Sequence, residues 1–138
     1  EVYDKLLNTH GDSLKLNIVF NVNPESLEYE NSAIAYRISE LYQEDSANSY
    51  QALKDWFADR NWQNWHKKYG KANPESNLFT LKSHFNWCDA NGIVMSPTTI
   101  INGNYFPRNY DTEDLPLFID LLIAQSQIKK GPVSLQAQ

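Results

Sequence analysis

Alternation of apolar and polar residues predicts three short β-strands. The first covers residues 14–22, where the residues of one parity are all apolar: Leu14, Leu16, Ile18, Phe20 and Val22. The second covers residues 98–102, a run rich in β-branched side chains. The third covers residues 104–107 and follows Asn102-Gly103, a dipeptide that favours the tight turn of a β-hairpin. The chain is therefore expected to contain a small sheet that includes a hairpin.

Helical spacing of apolar residues occupies most of the remaining chain. It extends over residues 31–91 and predicts a large helical block between the first two strands. Residues 1–7 predict the end of another helix, because apolar residues recur there at spacing four. Acidic residues at 111–114 precede an apolar stripe, which predicts a C-terminal helix. The order of strands and helices indicates an α/β fold.

The length of 138 residues is sufficient for one domain with a hydrophobic core. We expect a single domain over residues 1–128, and we expect it to be N-terminally incomplete because its first helix begins without an N-cap. Residues 129–138 are polar and contain Gly131-Pro132, so they predict a loose C-terminal tail. No apolar run approaches the ~18 residues that a membrane-spanning helix requires.

Charge and composition argue against several classes of function. The net charge is −5 and no run of Lys or Arg is present, so we expect no nucleic-acid partner, since such proteins need a basic face. Cys88 is the only cysteine, and one thiol cannot form a two-thiol redox centre. His10, His66 and His84 are scattered without the ligand spacing of a metal site. We therefore expect no catalytic residue, no metal and no cofactor in this chain itself.

The segment from Trp87 to Leu115 resembles a known family. A helix leads into residues 92–103, which read GIVMSPTTIING, and a proline, a tyrosine and an acidic helix start follow. This order resembles the C-terminal half of DsbA-like thioredoxin domains, most of all the bacterial ones attached to vitamin K epoxide reductase-like membrane domains. Residues 52–57 and 65–69 resemble the inserted helical subdomain of those proteins.

The resemblance implies a thioredoxin-like fold and a role in thiol–disulfide exchange outside the cytoplasm, on the periplasmic or cell-surface side. The Cys-x-x-Cys pair of the family would precede Glu1, so this chain would be the redox-inactive C-terminal portion of an oxidoreductase. Peptide or protein thiols would be the substrates, and a membrane redox domain in the same parent chain could be a partner. Two alternatives stay open: a non-catalytic thioredoxin-like peptide-binding module, and a truncated fragment without activity of its own.

Met95, Ser96 and Pro97 are the candidate substrate-binding residues. The resemblance implies that the Ser96–Pro97 bond is cis and lies opposite the Cys pair, with the main chain of Ser96 facing outward. The N–H and C=O of Ser96 could then pair with an extended peptide, as an added strand does. The alternative interpretation is a trans proline that begins a strand.

The resemblance also implies a vacant place in the sheet. In the thioredoxin fold, the strand before the Cys pair lies between the strands predicted here at residues 14–22 and 98–102. An upstream segment could fill the place, the two flanking strands could pair directly, or a second copy could lend a strand by swapping, which would give a homo-oligomer. We expect the first or the third outcome, because direct pairing would shift the helices packed on both faces.

Two further groups of side chains have both a structural and a functional interpretation. Cys88 shares the apolar stripe of a helix, which favours a buried, inert thiol over a reactive one. A group of aromatic residues could stack against a sugar or a peptide, but its helical spacing favours a hydrophobic core: Trp56, Phe57, Trp62, Trp65 and Tyr69.

Overall fold

The computed structural model describes residues 1–26, 28–129 and 133–137, with side chains described as far as residue 127. The fold is mixed α/β and mostly helical. Within the described ranges, no helix is both long enough and apolar enough to cross a membrane.

The chain divides into two compact units, one made of two separate segments of the sequence and the other of a single continuous segment. The first combines residues 1–19 with the segment that begins at Met95, and we call it the sheet unit. The second is the continuous stretch of residues 20–94, and we call it the helical unit. The sequence predicts one domain with a helical insertion over residues 31–91, and the helical unit contains these residues.

Six α-helices lie in the described ranges. They are α1 (Val2–His10), α2 (Glu30–Glu44), α3 (Ser46–Asp59), α4 (Trp62–Tyr69), α5 (Leu78–Ala90) and α6 (Leu115–Lys129). The helical block predicted over residues 31–91 consists of four helices, with a non-helical segment over residues 70–77 between the last two. The predicted C-terminal helix is confirmed as α6, which a single 3-10 turn at Thr112–Asp114 precedes.

The strands of the described residues all belong to the sheet unit. They are β1 (Leu14–Ile18), β2 (Thr99–Ile101), β3 (Asn104–Tyr105) and β4 (Val133–Ala137). Across the sheet their order is β1-β4-β2-β3. β4 runs parallel to β1 and antiparallel to β2, and β2 and β3 form an antiparallel hairpin.

The predicted hairpin is confirmed at Asn102-Gly103. Both residues have positive φ, 49° and 82°, as the tight turn requires. The strands on either side are shorter than the predicted 98–102 and 104–107, because Pro107 has no N–H to donate to a continued ladder. The first strand is also shorter than the predicted 14–22: it ends at Ile18, and the next apolar residues of its pattern pack inside the helical unit.

The prediction of a loose tail over residues 129–138 is wrong for residues 133–137. These residues form β4, each of them pairing with β1 and the last three also pairing with β2. The physical reason is that β1 and β2 lie one strand width apart. Without a strand between them, the facing N–H and C=O groups of both would be unpaired, and the extended segment 133–137 pairs with them. Residues 130–132 and 138 of the predicted tail lie outside the described residues.

β4 also answers the question of the vacant place in the sheet. β1 and β2 do not pair directly, and the strand between them belongs to the same chain. The chain's own C-terminal segment fills the place, an outcome different from the three that the sequence suggests.

Each unit has its own hydrophobic core. In the sheet unit, the buried faces of α1 and α6 meet β1 and β2 in a cluster of Val2, Leu6, Leu14, Ile101, Leu115, Ile119 and Ile123. In the helical unit, α2, α3 and α4 meet in a cluster of Ile34, Ile38, Leu41, Ala52, Trp56, Trp65 and Tyr69. The spacing of three and four within each list is the helical periodicity that the sequence shows.

Side-chain caps fix two of the helix starts in the helical unit. The carboxylate of Asp45 accepts hydrogen bonds from the N–H groups of Ala47 and Asn48 at the start of α3. The side chain of Asn61 accepts one from Asn64 N at the start of α4. These caps satisfy helix donors that have no intrahelical partner, so α3 and α4 begin at defined residues.

Candidate functional site

Met95, Ser96 and Pro97 form an exposed loop directly before β2, and we call it the 95–97 loop. The Ser96–Pro97 peptide bond is cis, which confirms the expectation from the sequence. Met95 keeps 55% of its surface exposed. The three candidate residues therefore lie together on an accessible surface at the start of a strand in the middle of the sheet.

Short side-chain contacts hold the 95–97 loop and the strand that follows it. The hydroxyl of Thr98 donates a hydrogen bond of 2.6 Å to the main-chain oxygen of Met95. The hydroxyls of Thr99 and Tyr3 lie 2.7 Å apart and join the first residue of β2 to α1. The first bond closes the loop across Ser96 and Pro97, and the second fixes the strand into which the loop leads.

β4 ends next to the 95–97 loop. Its last residue, Ala137, is paired with Thr99, two residues after Pro97. The loop thus lies where the ladder between β2 and β4 ends. This arrangement offers main-chain groups and a thioether to a ligand, and among its described residues it offers no thiol that could act as a nucleophile.

Arg108 also lies at this site and is not among the residues that the sequence predicts for it. Its Nη1 lies 3.5 Å from the Sδ of Met95, and both side chains are exposed. The hairpin gives a sign of this proximity. Ile100 pairs with Tyr105, and counting three residues outward from this pair along each arm leads to Pro97 and Arg108. Following the predicted turn outward would have brought Arg108 to the loop.

An open apolar cleft lies elsewhere in the sheet unit, between the hairpin and α6. Its volume is about 420 Å³, and its lining includes Tyr105, Phe106, Phe118, Leu121 and Gln125. Apolar side chains form most of this surface, and its lining includes no carboxylate, histidine, lysine or arginine, so it is suited to bind an apolar group.

Cys88 is fully buried on α5, in the helical unit. The expectation of a buried cysteine is therefore confirmed. A thiol without exposure is inaccessible to a substrate disulfide, because exchange needs direct attack of the thiolate on sulfur.

The aromatic group of the helical unit is largely a core, as expected, with one exception. Trp56, Trp65 and Tyr69 are buried, and the Trp65 Nε1 donates a 2.8 Å hydrogen bond to the main-chain oxygen of Ala52. Phe57, by contrast, is 59% exposed, with the Arg60 guanidinium 4.5 Å from its ring centroid. It lies one residue beyond the buried face of α3, which the spacing alone did not resolve.

Asp55 is the most strongly perturbed carboxyl group of the described residues. The Lys68 ammonium, the Tyr69 hydroxyl and the Gln51 amide all donate to it, and these bonds lower its pKa to about 2. Burial and the Asp55 carboxylate raise the pKa of Tyr69. A carboxylate held by three donors keeps its charge and is a poor base, so this cluster ties α3 to α4 and is no catalytic centre.

The histidines do not form a metal site. No group of three or more His, Cys, Asp or Glu side chains within the described ranges could hold a metal ion. His84 accepts a hydrogen bond from Phe20 N on its Nδ1, and burial lowers its pKa, so the ring is neutral at neutral pH. In the sheet unit, the Nε2 of His10 lies 2.5 Å from an Asp120 carboxylate oxygen, which links α1 to α6.

The comparisons with known proteins give no information on function, so the functional proposal below is argued from the geometry of the site and from the sequence. No family model, curated protein or solved structure matches this chain.

Proposed function

We propose that the chain binds an extended peptide along the 95–97 loop, as the C-terminal, substrate-holding portion of an extracytoplasmic thioredoxin-like thiol–disulfide oxidoreductase domain. One observation carries this proposal: a strand lies between β1 and β2, antiparallel to β2, and ends beside the exposed loop. In the thioredoxin fold that place belongs to the strand leading to the Cys pair. The order and directions of the strands therefore support a thioredoxin-like arrangement.

In this proposal the chain contributes binding and not redox chemistry. The main-chain N–H and C=O of Ser96 pair with the peptide main chain, and the exposed thioether of Met95 contacts its side chains. The two thiols needed for exchange would come from a segment that precedes Glu1 in a parent chain. Peptide or protein thiols are the substrates, and a membrane redox domain of that parent chain could supply or accept electrons.

A non-catalytic peptide-binding module is the second candidate, and a specific observation favours it. β4 already occupies the place between β1 and β2. An upstream strand that carried a Cys pair would have to displace β4 before it could pair with both neighbours. Without such displacement the sheet is complete and only the binding function remains.

Peptide binding is tested by NMR titration of the ¹⁵N-labelled chain with an octapeptide of alternating valine and threonine. We expect the largest shift changes at the amides of residues 95, 96, 98 and 99, since Pro97 has no N–H. Ser96→Pro removes the Ser96 N–H and should abolish binding, whereas Ser96→Ala retains that donor and should bind as the wild type does. Equal binding by the two variants, or shift changes confined to residues 20–94, would contradict the proposal.

The redox part of the proposal is tested by insulin reduction in the presence of dithiothreitol. The chain should show no turnover above a Cys88→Ala control, because its single thiol is buried and dithiol exchange requires two cysteines. Turnover that depends on Cys88 would contradict this expectation. A Cys-x-x-Cys in the ~30 residues before Glu1 in a parent protein, about one βα unit, would favour the oxidoreductase over the non-catalytic module.

A further inference from the structure

At the edge of the 95–97 loop, Arg108 uses little of its hydrogen-bonding capacity on the residues that the structure describes. A guanidinium carries five N–H donors, whereas the Met95 thioether that it contacts at 3.5 Å is a weak acceptor. Arg108 is exposed, so its remaining donors are open to a ligand that binds beside the loop.

The other two arginines differ from Arg108 in this respect. Arg37 donates to the Glu40 carboxylate and to Tyr69 O, and Arg60 lies over the rings of Phe57 and Trp56. None of the ion pairs among the described residues includes Arg108. Asp111 carries the carboxylate that follows Arg108 most closely in the sequence. It accepts a hydrogen bond from the N–H of Glu113 and caps the 3-10 turn.

We propose that Arg108 makes the 95–97 loop selective for peptides that carry a carboxylate near the residue paired with Ser96. This inference rests on the proposed peptide-binding function and names the substrate class of that site. A carboxylate matches the guanidinium because its two oxygens accept two parallel N–H bonds at once. A neutral side chain at the same position would gain only a single, weaker bond.

The charge of the whole chain does not cancel this preference. The net charge is −5, but charges farther away than about 8 Å are largely screened at physiological ionic strength. A carboxylate that reaches Arg108 is therefore little affected by the charges that lie beyond that distance. Because the contact is exposed, the expected gain is modest, about twofold to fivefold in affinity.

Fluorescence anisotropy with the full chain tests this selectivity. The probes are fluorescein-labelled octapeptides of alternating valine and threonine, with aspartate or its isostere asparagine at each central position in turn. At one position we expect the aspartate peptide to bind about twofold to fivefold more tightly than the asparagine peptide, with the difference falling as salt rises.

Three variants give the controls. Arg108→Gln should remove the preference for aspartate, Arg108→Glu should reverse it, and Arg60→Gln in the helical unit should leave it unchanged. A preference that survives Arg108→Gln, or equal affinities for aspartate and asparagine at every position, overturns this inference while the proposed binding function stands. Failure of both peptides to bind the wild-type chain overturns the binding function as well.

Discussion

The two units of this chain are built from the sequence in opposite ways. The helical unit uses one continuous stretch, and its helices meet neighbours that lie close in the chain. The sheet unit joins residues 1–19 to a segment that begins about 75 residues later, and its central strand comes from the far end of the chain. Local periodicity can specify the helical unit, whereas the sheet unit depends on pairings between distant residues.

The candidate site lies in the unit that depends on distant pairings. The 95–97 loop contacts the segment after β3 through Met95 and Arg108, and it leads into β2, whose first residue bonds to α1 and pairs with a strand from the C-terminal segment. Its geometry therefore depends on the assembled sheet and not on the sequence around Pro97 alone. Changes far from the loop in sequence should affect it, provided that they break the sheet.

The largest effect is expected from breaking the central strand. Gln136→Pro removes one ladder N–H from β4 and places a proline ring between β1 and β2, where a central strand does not tolerate it. Amide exchange at residues 14–18 and 99–101 should become fast. All four tryptophans lie in the helical unit, so the urea midpoint followed by tryptophan fluorescence should stay unchanged.

Gln136→Thr is the matched control, because it keeps the N–H and adds a β-branched side chain suited to strands. The sheet amides of this variant should stay protected. Two results in Gln136→Pro would contradict the contrast between the units. One is slow amide exchange at residues 14–18 and 99–101, and the other is a lower urea midpoint of tryptophan fluorescence that accompanies the loss of the sheet.

A slightly smaller effect is expected from opening the core of the helical unit. Trp65 is 4% exposed and packs among Trp56, Tyr69 and Trp62. Trp65→Ala should lower the free energy of unfolding of this unit by about 3–5 kcal/mol in urea denaturation. Phe57→Ala, at an exposed position on α3, should change it by less than about 0.5 kcal/mol. Equal losses in the two variants would show that the aromatic core is misassigned.

The contrast also explains which elements the sequence could predict. The helices of both units follow from apolar spacing, and the hairpin follows from the need for positive φ at Asn102-Gly103. β4 was missed because five residues after a Gly-Pro pair carry too little pattern to separate a strand from a tail. Its place becomes evident only when β1 and β2 are seen to need a strand between them.

The candidate site was predictable to a similar extent. Met95, Ser96 and Pro97 follow from the resemblance, since they are adjacent in the sequence and need no tertiary information. Arg108 is 13 residues away from Met95 and reaches it only through the register of the hairpin. Phe57 shows that a local pattern also has a limit. It is adjacent to Trp56 on α3, yet Trp56 is buried and Phe57 is exposed, and apolar spacing alone does not distinguish the two.

The smallest effect is expected from acid titration of the Asp55 cluster. The folded-state pKa of Asp55 is about 2, below the ordinary value of 3.8, so the carboxylate stabilises the helical unit above pH ~4 and this contribution is lost as pH falls toward 2. Asp55→Asn should lower the unfolding free energy by less than about 1 kcal/mol at pH 6, since the pair with Lys68 is partly exposed. At pH 2 the variant and the wild type should converge. A difference that does not shrink at low pH would contradict the assignment.

The account depends above all on β4 completing the sheet within one chain beside the 95–97 loop. The direct measurement is disulfide trapping between Thr99→Cys and Ala137→Cys in a Cys88→Ala background, since these residues are paired. Cα atoms paired across antiparallel strands lie about 4.5–5.5 Å apart, within the range that a disulfide spans. Mild oxidation followed by peptide mass spectrometry and light scattering should show a bond within a monomer. Free thiols at both positions would show that β4 does not pair with β2. A bond between two chains would show that the strand is exchanged with a second copy.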